Sequence, residues 1–249
     1  MLYALSLEAR VVGVTSNCNY PPEAKNKEKI GGFFLNLEKI VSLKPDLVVM
    51  FGDLQNKDVG RFKKYGLPVF TINPKTIDGV MESIIALGEK TGTQEKAKDV
   101  TKRMLRQLQT IKARTNEYRP SLMEVLKLWN PAEIERKALV IVGLNPLVVA
   151  GGETFIDDIL KRAAIKNVAA AAKAVYPQYS FEKLVAENPQ YIIIPDGLVS
   201  RDEMKKNSRW RSLEAVRKNR VLFIDEDLLS RPGPRVVEAV DKIANFVYK

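Results

Sequence analysis

The sequence has no histidine. That removes His-ligated zinc, manganese and haem, every His-based triad, and the commonest general acid–base group. It has one cysteine, Cys18, so no disulfide can form within the chain. No run of about 18 apolar residues occurs, so nothing reads as a membrane-spanning helix. Neither GxGxxG nor GxxxxGK[ST] is present, so there is no glycine-rich phosphate cradle of the usual kinds. These absences exclude many enzyme mechanisms before any residue is given a role.

The chain has 249 residues, enough for one large or two small domains, and a net charge of +10. Part of that excess lies in Lys90–Arg119, where nine lysines and arginines meet only Glu95, Asp99 and Glu117. The run reads as a solvated helix face. A nucleic-acid surface should interleave aromatics with its cations, and this run has only Tyr118.

Met1-Leu2-Tyr3-Ala4-Leu5 reads as the middle of a helix, with no leader pattern ahead of it. Val11–Thr15 is β-branched and reads as a strand, and Asn17–Pro22 as a loop. Asn36 suits the cap of a short helix over Leu37–Leu43. Leu47–Phe51 reads as a buried parallel strand. Helix 57–65, strand 68–72 and helix 77–90 follow, an α/β alternation. A helix over 93–117 would be roughly 37 Å long. Strands 138–142 and 147–150, helix 154–164, helix 181–185, strand 191–194, strand 221–224 and helix 235–247 continue the pattern. Gly151-Gly152 before a helix could hold an anion, although a tight turn suits two glycines better.

One segment occurs twice. Leu35–Asp53 (LNLEKIVSLKPDLVVMFGD) aligns without gaps on Tyr179–Gly197 (YSFEKLVAENPQYIIIPDG). Asn36 meets Ser180, Glu38 meets Glu182, Lys39 meets Lys183, and Pro45 meets Pro189. Apolar residues fall at i, i+3 and i+4 in both copies: Leu37, Ile40, Val41 and Phe181, Leu184, Val185. Glu38 and Glu182 lie off that face in the first turn, where a carboxylate suits the helix dipole. Two such carboxylates, one per copy, point to a two-point contact with a symmetric basic partner.

LNLEKIVSLKPDLVV, NYPPEA with a following GG-F, GGETFIDDIL, YPQYSFEKLV and RPGPRVVEAVDKIA together resemble the substrate-binding proteins that serve ABC importers of vitamin B12, ferric siderophores and haem. The resemblance runs over nearly the whole chain and is strongest to the cobalamin-binding branch. It implies an α/β fold of two Rossmann-like lobes with parallel sheets joined by one long rigid helix, the class III periplasmic binding protein fold. The boundaries would be 1–92 for the N-terminal lobe, 93–118 for the connecting helix and 119–249 for the C-terminal lobe. The family's first strand, central in the N-terminal sheet, is expected to be missing, and residues 129–137 read as an insertion.

The resemblance also implies a function without chemistry or a cofactor of its own. A bulky cobalamin, ferric siderophore or haem would lie between the lobes. Positions matching ligand contacts are Asn17, Tyr20, Phe51, Tyr176, Asp227 and Arg231, with Asn17 standing where the branch has a tyrosine. Glu38 and Glu182 match the glutamates that dock on a permease dimer. The expected location is periplasmic or membrane-anchored outside the cytoplasm, the signal being absent from this chain. An enzyme on the same scaffold, using a metal or nucleotide, and a nucleic-acid module through the basic helix are the competing readings.

Overall fold

The computed structural model describes residues 1–117 and 136–249, without the side chains of 53–58. Most of the insertion read at 129–137 lies outside the described residues. The chain divides into two compact units: Met1–Pro74 with Met81–Thr101, and Lys75–Val80 with Lys102–Lys249. The alternation read from the sequence is present in both.

In the first unit, α1 (Leu37–Ser42) precedes β1 (Val48–Phe51), α2 (Gly52–Lys64), β2 (Val69–Ile72) and α3 (Ile77–Thr91). β1 and β2 pair in parallel, Val48 opposite Val69 and Phe51 opposite Ile72. Ile40, Met50 and Phe62 form the core beneath them. The expectation of a buried β1 holds only at Met50. The sheet has two strands, and Val48 and Val49 border a groove of about 410 Å³ lined also by Val11, Gly13, Ile30 and Leu43. A strand without a neighbour on each side keeps part of its surface in contact with solvent.

The opening of the chain departs from expectation. Leu2–Leu5 is a 3₁₀ turn, ended by Ser6 in a left-handed conformation (φ 58°). The strand expected over Val11–Thr15 is reduced to one parallel bridge, Val14 to Lys29. Three backbone hydrogen bonds hold this pairing: Val14 to Glu28, Ile30 to Val14 and Ser16 to Gly31. A turn at Ser16-Asn17 and a bend at Tyr20-Pro21 follow, and the ladder goes no further.

The long helix α4 spans Gln94–Glu117. Ala97, Val100, Met104, Leu108 and Ile111 are its buried stripe, at spacings of three and four. The basic residues lie off that stripe, as a solvated face requires. Some are paired, Lys98 with Glu95 and Arg114 with Asp241, both at 2.8 Å.

The second unit is built on a five-stranded sheet. Its strands are β3 (Lys137–Leu144), β4 (Leu147–Val149), β5 (Lys166–Asn167), β6 (Tyr191–Pro195) and β7 (Val221–Ile224). β3, β6 and β7 run parallel in that order, β5 adds to β3 in parallel, and β4 folds back antiparallel at the edge. β6 is buried along its whole length because it is paired on both sides. Its helices are α5 (Phe155–Arg162), α6 (Phe181–Glu187), α7 (Arg201–Lys206), α8 (Ser208–Arg211), α9 (Glu214–Arg217), α10 (Glu226–Ser230) and α11 (Val236–Val247). No helix among the described residues is long and apolar enough to cross a membrane.

Candidate functional site

The two copies of the repeated segment fold alike. In α1 the Asn36 side chain accepts from the Lys39 N–H at 2.9 Å. In α6 the Ser180 hydroxyl accepts from the Lys183 N–H at 3.1 Å. These caps satisfy donors that each helix start leaves open. Ile40 and Leu184 are buried against their own cores. The two lysines turn back onto their own units: Lys39 pairs with Glu28 at 2.9 Å, and Lys183 lies over the Tyr179 ring at 4.1 Å.

Glu38 and Glu182 remain exposed. Glu38 has no ion-pair partner among the described residues. Glu182 lies 3.7 Å from Arg209, whose guanidinium also covers the Phe181 ring. The backbone N–H of Glu182, then Ser180 and Arg209, hold its carboxyl below the ordinary range. Each unit therefore presents one exposed glutamate in the first turn of a short helix.

In the first unit, the expected ligand positions fall on loops. Asn17 and Tyr20 are exposed, Tyr20 by 56%. The Ser16 N–H donates to the Gly31 carbonyl, tying the Asn17 turn to the next loop. That loop carries two residues the sequence reading did not assign, Phe33 and Phe34, which are 78% and 85% exposed. Their rings meet edge to face, with centroids 5.3 Å apart. Gly31 makes the loop possible: its φ is 108°, and a Cβ there would come within 2.4 Å of the Phe34 carbonyl. Two exposed phenylalanines after a Gly-Gly pair were the available signal. Phe51 stands half-buried at the carboxyl end of β1, where α2 begins.

In the second unit, Tyr176 is 52% exposed. Its partial burial pushes the phenol upward. The segment bearing it is fastened along β4: Gly151 donates to Val175, Val149 to Pro177, and Tyr179 to Leu147. Gly151 and Gly152 allow that approach. A Cβ on Gly151 would come within 2.7 Å of the Ala174 carbonyl, and one on Gly152 within 2.2 Å of Ala170's. The glycine pair thus serves close packing and enters the turn at Gly152-Glu153 that the sequence suggested.

Behind the pair, Asn167 is buried and donates to Ala150 and Gly151 carbonyls and to Asp157, at 3.0–3.1 Å. Asp157 also meets Lys161 at 2.6 Å, and that bond raises the lysine's pKa. Asp227 and Arg231 are brought together, Oδ1 to Nε at 2.7 Å, Asp227 in the first turn of α10 and Arg231 as the residue that caps its end. Among the described residues no cluster of three Cys, Asp or Glu could hold a metal ion.

The first unit thus carries exposed aromatic side chains on its loops, and the second carries Tyr176 and the Asp227–Arg231 pair. The periplasmic binding protein family profile matches residues 1–228. An uncharacterized ABC transporter substrate-binding lipoprotein of Bacillus subtilis (strain 168) is 34% identical over 251 residues, 99% of this chain and 76% of that protein. A vitamin B12-binding protein of Salmonella typhi is 28% identical over 244 residues, 97% of this chain and 84% of that protein. Among solved structures, a possible iron-binding periplasmic solute-binding protein from Staphylococcus epidermidis superposes with a TM-score of 0.80 at 24% identity, over 100% of this chain and 94% of that one. That last likeness is one of fold.

Proposed function

This chain belongs to the periplasmic binding protein family, and from that premise we propose that it captures a cobalamin-like or iron-chelate ligand outside the cytoplasm and delivers it to an ABC permease. It is the substrate-binding protein of an importer, with binding and not catalysis as its task. The observation that carries the ligand reading is the set of exposed aromatics on fixed loops, Tyr20, Phe33 and Phe34 in one unit and Tyr176 in the other. Exposed rings of this size are costly to leave in water and gain most by covering a broad apolar ligand. Phe51 is the last residue of a parallel strand, at the carboxyl end beyond which ligands usually bind in such sheets. Asp227 and Arg231, already paired, would meet polar substituents together.

Glu38 and Glu182 are the delivery contacts. They occupy equivalent positions in the two copies, they are exposed, and their neighbouring lysines are engaged elsewhere. A permease dimer with one basic pocket per subunit is the complementary partner.

The test is titration of the purified protein with cyanocobalamin, a ferric hydroxamate siderophore and hemin, read by calorimetry and by absorption. Saturable binding of cobalamin or siderophore is the expected result. Saturation by hemin alone would move the reading to haem, with a tyrosine as the available ligand. Failure of all three with a cooperatively folded sample would end it.

A further inference from the structure

We infer that the surface made by α7, α8 and α9 is a docking face for the phosphate headgroups of an anionic membrane. Residues 201–220 carry eight lysines and arginines against Asp202, Glu203 and Glu214. The acids are committed locally. Glu203 closes a capping box with Ser200, Glu214 pairs with Lys218 at 2.5 Å, and Asp202 sits in the first turn of α7.

Several cations are used by the fold itself. Arg201 donates to the Val221 carbonyl and covers Phe223, Arg209 meets Glu182 and Phe181, and Arg220 lies over Tyr191. Lys205, Arg211 and Arg217 are different. All three are exposed, and none has an ion-pair partner among the described residues. They converge on one groove of about 620 Å³, with Ser208, Ser212 and Asn219 as polar neighbours and no carboxylate in its lining.

Three like charges around one concavity repel one another unless an anion lies among them. Phosphate oxygens are the acceptors that lysine and the arginine fork match best.

The place of the groove selects a membrane as the source of phosphate. Ser208 of its lining adjoins Arg209, which reaches Glu182. Resting on the proposal that Glu182 docks on a permease, the groove lies beside a membrane-embedded partner, where headgroups are the nearest polyanion. Clustered lysines and arginines next to a bilayer give this kind of salt-sensitive adhesion.

The experiment is co-sedimentation of the full chain with vesicles of phosphatidylcholine, alone or mixed with phosphatidylglycerol, at low and high salt. The expected result is binding to the mixed vesicles only, released by salt. The triple variant Lys205→Gln, Arg211→Gln, Arg217→Gln should bind roughly tenfold to a hundredfold more weakly, with unchanged melting temperature and unchanged ligand titration. Native-like vesicle binding by the variant, or equal binding to pure phosphatidylcholine, would overturn the inference. So would displacement by inorganic phosphate at constant ionic strength, which marks a small-anion site, or tighter binding to a DNA duplex than to the mixed vesicles. If vesicle binding fails while Glu182→Gln still uncouples the permease, the membrane face is wrong and the docking reading stands. The reverse pattern overturns the docking reading alone.

Discussion

Lys44 and Asn188 adopt the same left-handed backbone, at φ 47° and 38°, each directly ahead of the proline that opens its strand. They hold equivalent places in the two copies of the repeat. A helix cannot easily continue into a residue before proline. Both copies leave the helix through a left-handed residue and then enter the sheet. Lysine has a Cβ and no compensating side-chain bond for this conformation, whereas asparagine tolerates it.

Lys44→Gly should therefore stabilise the protein by about 0.5–1 kcal/mol, the left-handed cost less glycine's greater unfolded freedom. Asn188→Gly should change stability by only a few tenths of a kcal/mol, on the order expected for a tolerated left-handed asparagine. Urea unfolding of the two variants checks the difference; equal effects would deny the strain at Lys44.

Glu38→Gln and Glu182→Gln should leave ligand affinity unchanged and lower ligand-dependent ATPase stimulation of the reconstituted transporter. The double variant should lose more than either single one. A docking contact shared by two sites predicts this pattern, and unchanged coupling in the double variant would contradict it.

Tyr176→Ala removes a half-exposed ring and should scarcely alter the melting temperature. It should weaken ligand binding by about 1–2 kcal/mol, roughly five- to thirtyfold. Calorimetry reads the affinity directly. Phe33→Ala tests the pair that was not assigned from sequence, with the same expected direction.

Asn167→Ala leaves the buried Asp157 oxygen and the Ala150 carbonyl without this donor, while the Gly151 carbonyl keeps its bond from the Thr154 hydroxyl. The expected loss is about 2–4 kcal/mol, because two buried acceptors are orphaned together. Thermal unfolding measures it. A loss below half a kcal/mol on the same order-of-magnitude scale would mean that water replaces the amide.

Four carboxyls are held below the ordinary range: Glu203 by the Ser200 backbone N–H and hydroxyl, Glu182 by its own N–H, Glu28 by Lys39 and Glu214 by Lys218. A depressed folded pKa adds stability above the unfolded value of about 4.3, and that share is lost as pH falls through the folded value. Glu28, Glu182 and Glu203 are exposed and Glu214 is partly so, and each share is small. Stability should decline more steeply below about pH 4.3, and Glu203→Gln should be less stable than the native chain at neutral pH but not in acid. A constant gap across pH would refute the linkage.

The order of helices and strands was legible because the apolar spacing and the prolines act locally. Asn36 and Ser180 were readable as caps for the same reason. The front of the chain was not: a β-branched run at Val11–Thr15 can form a ladder only as long as its neighbour permits, and pairing is non-local. Burial of β1 was overstated because a strand's environment depends on how many strands flank it. Phe33 and Phe34 escaped notice because an apolar pair looks like core until the Gly31 turn carries it outward. The role of Gly151-Gly152 was hidden in residues far along the chain, Ala174 for Gly151 and Ala170 for Gly152.

The stitching of residues 175–179 along β4 has one more effect. β4 is the outermost strand of its sheet. An open edge of that kind invites another chain to add a strand, which is how aggregation begins. The Val175–Tyr179 segment occupies Leu147, Val149 and Gly151 and so denies the edge to strangers. Anyone shortening this loop to retune ligand preference around Tyr176 would be stripping the sheet's guard, and the first symptom would be precipitation in concentrated samples.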